Sequence, residues 1–402
     1  MRISRWNVQL ALSSCLIFSQ PHVTAAGHPI ASLPAEMVLN GGILLRARVN
    51  GSEPLGLVLD SGAGSRFILD RHRAESLGLE LRGRAQSAGA GASSYDVTFA
   101  SNVRIALAGV AFPSQTVSII SLSPLAPFAG RSLDGVIGFG LFSRYVVEIN
   151  YAARKVDLYE PQGYRYSGSG IRLPLTMEGN HLYVPAKIAM PGRAAFEGRL
   201  MIDTGAMTAT VLLNRPTVER HGLLASTGKR ILDRSLPGLG GEVSQILSRA
   251  ATIQLGGLTI RQPTVSLSQD AAGALASPGF DGIIGGELLR RFKVIFDPAR
   301  RQLILEPNAC FAEPYEHNMS GIGLRAEGKD FRTVKIHYVI EESPAAEAGL
   351  RKGDVITAIN GQPVPSLARL YQMLKQEGRE YDLSILRDGK RLQVRLRLRR
   401  LA

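Results

Sequence analysis

Two nearly identical short segments, 143 residues apart, constrain this 402-residue chain more than any other feature. Residues 58–63 and 201–206 each run from apolar residues into an aspartate, a hydroxyl residue, a glycine and an alanine. A strand brings the carboxylate to its end, and glycine permits a sharp turn and the close approach of a second backbone. One such segment would indicate an ordinary turn. Two copies predict that Asp60 and Asp203 face one another, share a proton and activate a water for peptide hydrolysis.

The duplication continues downstream of both segments. An Asp-Gly pair followed by an apolar-apolar-Gly run occurs at residues 134–138 and again, 147 residues later, at 281–285. Spacings that drift by only a few residues over a long stretch indicate an internal repeat. Asp134 and Asp281 are repeated acids too, but each opens a turn. We interpret both as structural residues whose side chains hold that turn.

The repeated unit resembles the retropepsin-like aspartic proteases, and in particular bacterial members with two such units in one chain. The resemblance covers roughly residues 35–308. It implies that Asp60 and Asp203 form a catalytic dyad that needs no cofactor and no metal. It also implies that residues 136–138 and 283–285 cross behind the dyad and buttress it. The residues that follow the aspartates would support the dyad, with the two hydroxyls hydrogen-bonding across the turns. These supporting residues are Ser61, Gly62, Thr204 and Gly205.

Two segments of small residues interrupt the repeats, at 87–95 and at 236–241. Each is either a flexible loop or the tip of a mobile flap that closes over an extended peptide in the cleft. The resemblance places a flap at the first segment, and the second segment is its counterpart in the other repeat.

A different pattern fills residues 316–400, after the second repeat. A small glycine loop enters a strand, a Ser-Pro-Ala-Ala-Glu-Ala-Gly-Leu run follows, and residues 366–376 have a helical spacing of apolar side chains. This unit resembles a PDZ domain of the kind associated with bacterial proteases. The resemblance implies that polypeptide C-termini add as a strand beside the helix, with backbone amides of the loop holding the terminal carboxylate. The implied peptide-binding residues are Gly321, Ile322, Gly323, Leu324 and Leu367.

Together these patterns predict a mainly β protein, with two duplicated retropepsin-like β lobes followed by an α+β PDZ domain. The predicted boundaries are 34–161 and 171–308 for the two lobes and 316–400 for the PDZ domain. Within the first lobe, residues 67–79 are predicted to form a short helix.

The N-terminal residues 1–26 have the pattern of a secretory signal peptide, with two arginines, an apolar core and small residues before the cleavage point. The apolar core is too short to span a membrane, so we predict a secreted or periplasmic protein without a transmembrane segment. Cys15 fits a lipoprotein cleavage pattern, but the apolar core continues past it, which favours simple cleavage. Removal of this segment leaves Cys310 without a disulfide partner.

The chain carries a formal net charge of +13 and has a pI near 10.0. A nucleic-acid partner would require a recognition motif, and the sequence contains no zinc-finger spacing, phosphate-binding glycine loop or basic-aromatic motif. The seven histidines have no metal-ligand spacing. We therefore interpret the basic surface as solvated, with peripheral attraction to an anionic envelope as a further expectation.

Two other functions compete with an exported aspartic endopeptidase. A catalytically inactive scaffold or peptide-binding protein of the same fold would normally have lost one aspartate, and both are kept here. A hydrolase acting on something other than peptides fits less well, because a PDZ domain favours polypeptide partners. The sequence therefore favours cleavage of polypeptides.

Overall fold

The computed structural model describes residues 27–39, 41–226 and 231–401. The predicted signal peptide, including Cys15, lies outside these residues. Within them the chain is mainly β, so the predicted fold class is confirmed. No helix in the described ranges combines the length and the apolar character that crossing a membrane would require.

The first repeat runs from β1 to β11. Its strands are β1 (Ala31–Pro34), β2 (Glu36–Val38), β3 (Gly42–Val49), β4 (Leu55–Leu59), β5 (Phe67–Asp70), β6 (Arg82–Ala88), β7 (Ser94–Leu107), β8 (Val110–Ile120), β9 (Gly135–Ile137), β10 (Val146–Asn150) and β11 (Lys155–Tyr159). Its helices are α1 (Arg71–Ser76), α2 (Ala126–Ala129) and α3 (Phe139–Phe142).

The second repeat runs from β12 to β24. Its strands are β12 (Ile171–Pro174), β13 (Thr176–Glu178), β14 (His181–Ala189), β15 (Phe196–Ile202), β16 (Val211–Leu213), β17 (Ile231–Gly238), β18 (Gly241–Arg249), β19 (Thr252–Leu255), β20 (Leu258–Arg261), β21 (Thr264–Ser268), β22 (Gly282–Ile284), β23 (Phe292–Asp297) and β24 (Gln302–Pro307). Its helices are α4 (Arg215–Arg220) and α5 (Gly286–Leu289), with short 3₁₀ turns at Leu223–Ser226, Ala274–Ala276 and, after β24, Ala309–Ala312.

The C-terminal domain follows. Its strands are β25 (Ile322–Glu327), β26 (Thr333–Val339), β27 (Val355–Ile359), β28 (Gln362–Pro363), β29 (Glu380–Arg387) and β30 (Lys390–Arg397). Its helices are α6 (Pro344–Glu347) and α7 (Leu367–Met373).

The two repeats have matching sheets. The first has the strand order β2-β3-β4-β9-β5-β8-β7-β6, and the second has β13-β14-β15-β22-β16-β21-β18-β17, with β19 and β20 added beside β14. A third sheet takes three strands from each repeat in the order β1-β11-β10-β23-β24-β12. Its centre is the antiparallel pair β10–β23, where Val147 lies opposite Phe296. The repeats are therefore joined by a continuous sheet, and one large hydrophobic core runs through both.

The strand that carries each predicted catalytic aspartate has a parallel neighbour from later in its own repeat. β9 lies beside β4, and β22 lies beside β15. The backbone N–H of Asp60 donates to the carbonyl of Ile137 at 2.9 Å, and that of Asp203 donates to the carbonyl of Ile284 at 2.9 Å. The apolar-apolar-Gly runs thus lie where the sequence analysis expects the buttress of the site.

Asp134 and Asp281 anchor these neighbouring strands. Asp134 accepts from the backbone N–H of Gly56 at 2.7 Å and from the Arg73 guanidinium at 2.8 Å. Asp281 accepts from the backbone N–H of Arg199 at 2.7 Å. Both carboxylates therefore fasten one strand end to another, which agrees with the structural role inferred for them.

The helix predicted over residues 67–79 is shorter than expected. Residues 67–70 form β5, which lies in the sheet between β8 and β9, and the helix begins only at Arg71. The run Phe-Ile-Leu is fully buried there, and Asp70 caps α1 by accepting from the N–H of Arg73. Tertiary pairing on both sides therefore decides the conformation of a run that is apolar enough for either element.

The C-terminal domain has its own hydrophobic core but is docked on the second repeat. At this interface Lys375, just past α7, pairs with Glu287 on α5 at 3.0 Å. Arg290 also approaches Glu287 at 2.9 Å. Burial opposes ionisation of Glu287, but the cations around it outweigh burial and lower its pKa to about 2. Burial lowers the pKa of Lys375, although the neighbouring Glu287 acts in the opposite direction.

Glu287→Gln should therefore destabilise the protein in a pH-dependent way. The folded pKa of Glu287 lies below its unfolded value, so its contribution is present above roughly pH 4.5 and is lost as pH falls towards 2. At pH 7 we expect a loss of about 2–3 kcal/mol in the free energy of unfolding, measured by urea denaturation. The difference from wild type should shrink between pH 4.5 and 2.5.

The control is Glu80→Gln, which breaks an exposed ion pair with Arg82 and should change the unfolding free energy by less than about 1 kcal/mol. Equal effects of the two substitutions at pH 7 would contradict the interface role of Glu287.

Candidate active site

Each predicted catalytic aspartate sits in a tight turn that holds one of its carboxylate oxygens. Oδ1 of Asp60 accepts from the backbone N–H of Gly62 at 2.9 Å and of Ala63 at 3.1 Å. In the second repeat, Oδ1 of Asp203 accepts from the N–H groups of the two residues at the equivalent positions, at 2.8 Å and 3.0 Å. The inner oxygens are therefore fixed by backbone amides, and each carboxyl group keeps its other oxygen for chemistry.

The hydroxyl residues that follow the aspartates bind the two turns to each other. Oγ of Ser61 donates to the carbonyl of Ile202 at 2.7 Å and accepts from the N–H of Thr204 at 3.1 Å. Oγ1 of Thr204 donates to the carbonyl of Leu59 at 2.7 Å and accepts from the N–H of Ser61 at 3.0 Å. Both side chains are completely buried. This reciprocal exchange brings together the two repeats at the predicted site, as the sequence analysis expected of these hydroxyls.

The glycines of the two turns pack against the opposite carboxyl groups. A methyl group added to Gly205 would lie 2.3 Å from Cγ of Asp60, and one added to Gly62 would lie 2.5 Å from Cγ of Asp203. Any side chain at either position would therefore push the opposite aspartate away. The two glycines are required because the carboxyl groups approach so closely, and not only because the chain turns.

The two carboxyl groups are close enough to hydrogen-bond to each other. Burial and the neighbouring Asp203 carboxylate hold the pKa of Asp60 well above its usual value. Burial also raises the pKa of Asp203, although the backbone amides, the hydrogen bond from Asp60 and the nearby His181 act in the opposite direction. The pair therefore shares one proton and titrates as a unit.

His181 is a residue of this site that the sequence analysis did not single out. It lies at the start of β14, and its ring would be 3.4 Å from a methyl group added to Gly64, two residues beyond Gly62. In the sequence His181 has no neighbouring histidine or cysteine at metal-ligand spacing. His181 reaches Asp203 through the β14–β15 pairing, in which Tyr183 lies opposite Met201, and such a pairing between strands leaves no local motif in the sequence.

Two apolar clusters flank the pair, one in each repeat. The first includes Val58, Ile68 and Val136. The second is built from the residues at the equivalent positions of the second repeat: Met201, Leu212 and Ile283. All six lie on the faces of their strands that point away from the shared core, and Ala63 and Ala206 pack against the first and second cluster respectively. The chain therefore presents an apolar wall on each side of the carboxyl pair.

The two small-residue segments form the tips of two β-hairpins, β6–β7 and β17–β18. The tips meet, because the N–H of Gly91 donates to the carbonyl of Leu239 at 2.9 Å and that of Ser93 donates to the carbonyl of Gly240 at 2.8 Å. Ala90 packs on the apolar cluster of the second repeat, whereas Leu239 packs on that of the first. Each tip thus crosses to the opposite repeat.

A cavity of about 930 Å³ lies between these hairpins and the segment that precedes and includes α2. Tyr95 and Leu239 line it from the hairpins, and Leu125 and Phe128 line it from that segment. Tyr95, Leu125 and Leu239 also pack against the first apolar cluster, as Ala63 does. The cavity therefore borders that cluster, and neither Asp60 nor Asp203 lines it.

The predicted peptide-binding residues of the C-terminal domain lie together but are not accessible. Residues 321–324 form the loop and the start of β25, and Leu367 begins α7. All five are buried, and Leu324 and Leu367 are 0% and 4% exposed. The groove between β25 and α7 is therefore closed in this structure. In the part of the chain that the structure describes, no three His, Cys, Asp or Glu side chains gather as they would around a metal ion.

Thr204→Ala should destabilise the protein, because it leaves the buried N–H of Ser61 and the buried carbonyl of Leu59 without partners. We expect a loss of about 2–3 kcal/mol in the free energy of unfolding, measured by urea denaturation. Thr204→Ser is the matched control, since it keeps the hydroxyl, and it should lose less than about 1 kcal/mol. Similar losses in the two variants would show that packing of the methyl group, and not the hydrogen bonds, stabilises the site.

Comparison with known proteins relates this geometry to a family. The aspartyl protease family model matches residues 45–141 and 184–288, which together make up half of the chain and contain both aspartate turns. A PDZ domain model matches residues 335–387, so the predicted PDZ domain is confirmed.

Curated relatives match over a short stretch. The periplasmic serine endoprotease DegP of Escherichia coli strain K12 is 42% identical over 65 residues, which is 16% of this chain and 14% of DegP. The probable periplasmic serine protease do/HhoA-like of Haemophilus influenzae is 41% identical over 65 residues, again 16% of this chain and 14% of the relative. The chain therefore spans only a small part of the length of these relatives. The family model that covers both aspartate turns is that of the aspartyl proteases. The chain therefore belongs to the aspartyl protease family and carries a PDZ domain after its second repeat.

Proposed function

We propose that this protein is an exported, two-lobed, retropepsin-like aspartic endopeptidase that cleaves polypeptides. The observation that carries the proposal is the carboxyl pair itself. Asp60 and Asp203 come from the two repeats, hydrogen-bond to each other and share a proton, while backbone amides hold their inner oxygens. Such a pair can polarise a water without a metal or cofactor.

In the mechanism that we propose, a water bound between the two carboxyl groups attacks the scissile carbonyl. One carboxyl group of the pair is ionised and takes a proton from the water, while the other carries the shared proton and donates it to the carbonyl oxygen. In the second step the C–N bond breaks, the proton taken from the water passes to the leaving amine, and a hydroxyl of the tetrahedral intermediate returns its proton to the other carboxylate, which restores the pair. Ser61 and Thr204 position the pair and touch neither substrate nor water, because their hydroxyls are engaged across the turns.

The apolar walls on both sides of the carboxyl pair support a preference for apolar side chains on both sides of the scissile bond. The hairpin tips support an extended substrate, since their crossing would enclose a strand-like peptide over the pair. The PDZ domain supports polypeptide substrates or partners with a free C-terminus.

The serine endoproteases among the relatives bear on location more than on chemistry. The two relatives named above are similar to this chain over 65 residues each, whereas the aspartyl protease model covers both aspartate turns. These relatives are named as periplasmic, and residues 1–26 have the pattern of a signal peptide. Both observations support an exported protein.

Asp60→Asn and Asp203→Asn should each reduce cleavage of an unfolded protein by more than about 10³-fold, and the double variant should be no worse than either single one. The reason is that the two carboxyl groups act as one unit. Cleavage is followed with purified protein lacking residues 1–26 and a casein-type substrate, and the melting transition checks that each variant is folded.

The matched control is Asp388→Asn, which changes an exposed aspartate in the β29–β30 turn and should leave cleavage unchanged. Substantial activity in either dyad variant would overturn the mechanism. No cleavage by the wild type would favour the inactive scaffold instead.

The pH dependence of cleavage should be bell-shaped, with an optimum at about pH 5 to 6. One carboxyl group must keep its proton, so activity is lost on the basic side when the pair loses that proton. Burial raises the pKa of both groups, and the Asp203 carboxylate raises that of Asp60 further, which moves the basic limb upward. Ala63 and Ala206 offer backbone amides but no hydroxyl to the aspartates.

Ala63→Ser combined with Ala206→Ser should therefore shift the basic limb towards acid, because a hydroxyl donor favours the charged carboxylate. A wild-type optimum near pH 2, or a limb that does not move in the double variant, would contradict this explanation.

A further inference from the structure

The PDZ groove is covered by a segment of the first repeat. β25 is the edge strand of its sheet, and α7 forms the opposite wall of the groove. Helix α2 packs against β25. At the end of α2, a methyl group added to Gly130 would lie 3.2 Å from Cβ of Leu367, the first residue of α7. Residues 126–130 thus touch both walls, which explains why the residues expected to bind a peptide are buried.

The backbone of the edge strand is also engaged within the chain. The carbonyl of Leu324 accepts from the Tyr371 hydroxyl of α7 at 3.3 Å. The N–H of Ile322 donates to Oγ of Ser320 at 3.2 Å, and the carbonyl of Ile322 accepts from the Asn318 side chain at 2.7 Å. Strand addition requires free donors and acceptors along the edge. A peptide could therefore enter only after the segment withdraws and these bonds rearrange.

We propose that residues 125–130 are an internal occupant of the PDZ groove, and that a peptide with a free apolar C-terminus competes with them. This inference rests on the proposed function only for its consequence at the cleft. The competition itself concerns binding and is independent of catalysis.

An effect on the cavity is expected because residues 125–130 contact both the cavity and the PDZ domain. Leu125 and Phe128 line the cavity below the hairpin tips, and Phe128 also packs edge-on against His337 of the PDZ domain, with ring centroids 4.8 Å apart. Withdrawal of the segment would remove part of the cavity wall. Peptide binding at the groove therefore changes the shape of this cavity, which borders the apolar cluster beside the Asp60 turn.

A second contact connects the PDZ domain to a hairpin. β17, one strand of the second hairpin, packs against β25 and β26. Ile231 on β17 and Leu247 on β18 form an apolar cluster with Ile340 of the PDZ domain. In this structure the cluster is formed and the two hairpin tips are hydrogen-bonded to each other. Loosening the PDZ contacts should free the second hairpin to open, so we expect peptide binding to stimulate cleavage.

The test for competition compares two glycine variants. Gly130 and Gly78 both have φ of +66° and both end a short helix, but a side chain at Gly130 meets Leu367, whereas one at Gly78 has nothing within 4 Å. Asparagine tolerates this backbone region better than most residues. Gly130→Asn therefore drives a polar group against the groove wall, and Gly78→Asn imposes the same backbone change without that contact.

Binding is measured on the full chain carrying Asp60→Asn, so that the probe is not cut. The probe is a fluorescein-labelled decapeptide with a free C-terminal valine, followed by fluorescence anisotropy, and its amidated form is the control. Removal of an internal occupant raises the apparent affinity in proportion to the open fraction, so Gly130→Asn should bind at least about tenfold tighter than Gly78→Asn. Equal affinities, or equal binding of the amidated probe, would overturn the proposal.

A second measurement uses the unmutated full chain in case Gly130→Asn does not fold. Saturating valine-ended peptide should increase amide hydrogen exchange across residues 125–131, and unchanged exchange there would overturn the proposal. Cleavage is measured separately. If peptide binds but cleavage of an unfolded protein does not rise, the coupling is refuted. If the wild type cleaves nothing while the affinities differ as expected, the proposed function fails and the internal occupant stands.

Discussion

The reciprocal hydrogen bonds between Ser61 and Thr204 are the interaction on which the remaining geometry of the site depends. Each hydroxyl both donates to and accepts from the backbone of the other turn. Four buried polar groups of the main chain are satisfied by two side chains, and none could reach water from its position. The two turns therefore cannot separate without leaving these groups unpaired, and this fixes Asp60 against Asp203.

The scaffold around this interaction is nearly symmetric, but the carboxyl pair is not. The same strand order, the same parallel neighbour and the same pair of backbone amides surround each aspartate. The nearby His181 acts to lower the pKa of Asp203, whereas the Asp203 carboxylate raises the pKa of Asp60. The two carboxyl groups therefore have different surroundings, although the sequence writes their turns in the same way.

The PDZ domain is attached to the part of the protein that supports this pair. Glu287, which pairs with Lys375, lies two residues after Gly285 in the run behind the Asp203 turn. The N–H of Glu287 donates to the carbonyl of Ala209, and the N–H of Gly286 donates to the carbonyl of Ala206. The N–H of Ala206 in turn donates to the Asp203 carboxylate. A series of polar contacts thus connects the end of helix α7 with the carboxyl pair. Strands β25 and β26 of the same domain contact β17 of the second hairpin. The PDZ domain therefore contacts both the region behind the Asp203 turn and one of the two hairpins.

The sequence by itself determined the duplication, the mainly β class, the aspartate turns and the PDZ domain, because these depend on local patterns. The residues of Asp-Ser-Gly-Ala and Asp-Thr-Gly-Ala favour a tight turn by themselves, and a repeat at nearly constant spacing indicates two equivalent structural units. The segment that begins at Phe67 forms a strand where the sequence predicts a helix, because an apolar run of that length fits either element until its neighbours are known.

Only the tertiary structure decided what lies opposite these motifs. Gly205 packs on Asp60 and Gly62 on Asp203, because the two repeats meet there. His181 approaches Asp203 because β14 pairs with β15. The closure of the PDZ groove could not be predicted from the sequence either. Residues 321–324 and Leu367 match a peptide-binding pattern, but whether α2 and Gly130 cover them depends on how the PDZ domain docks. A sequence motif specifies which groups a site contains, whereas long-range packing specifies whether they are free.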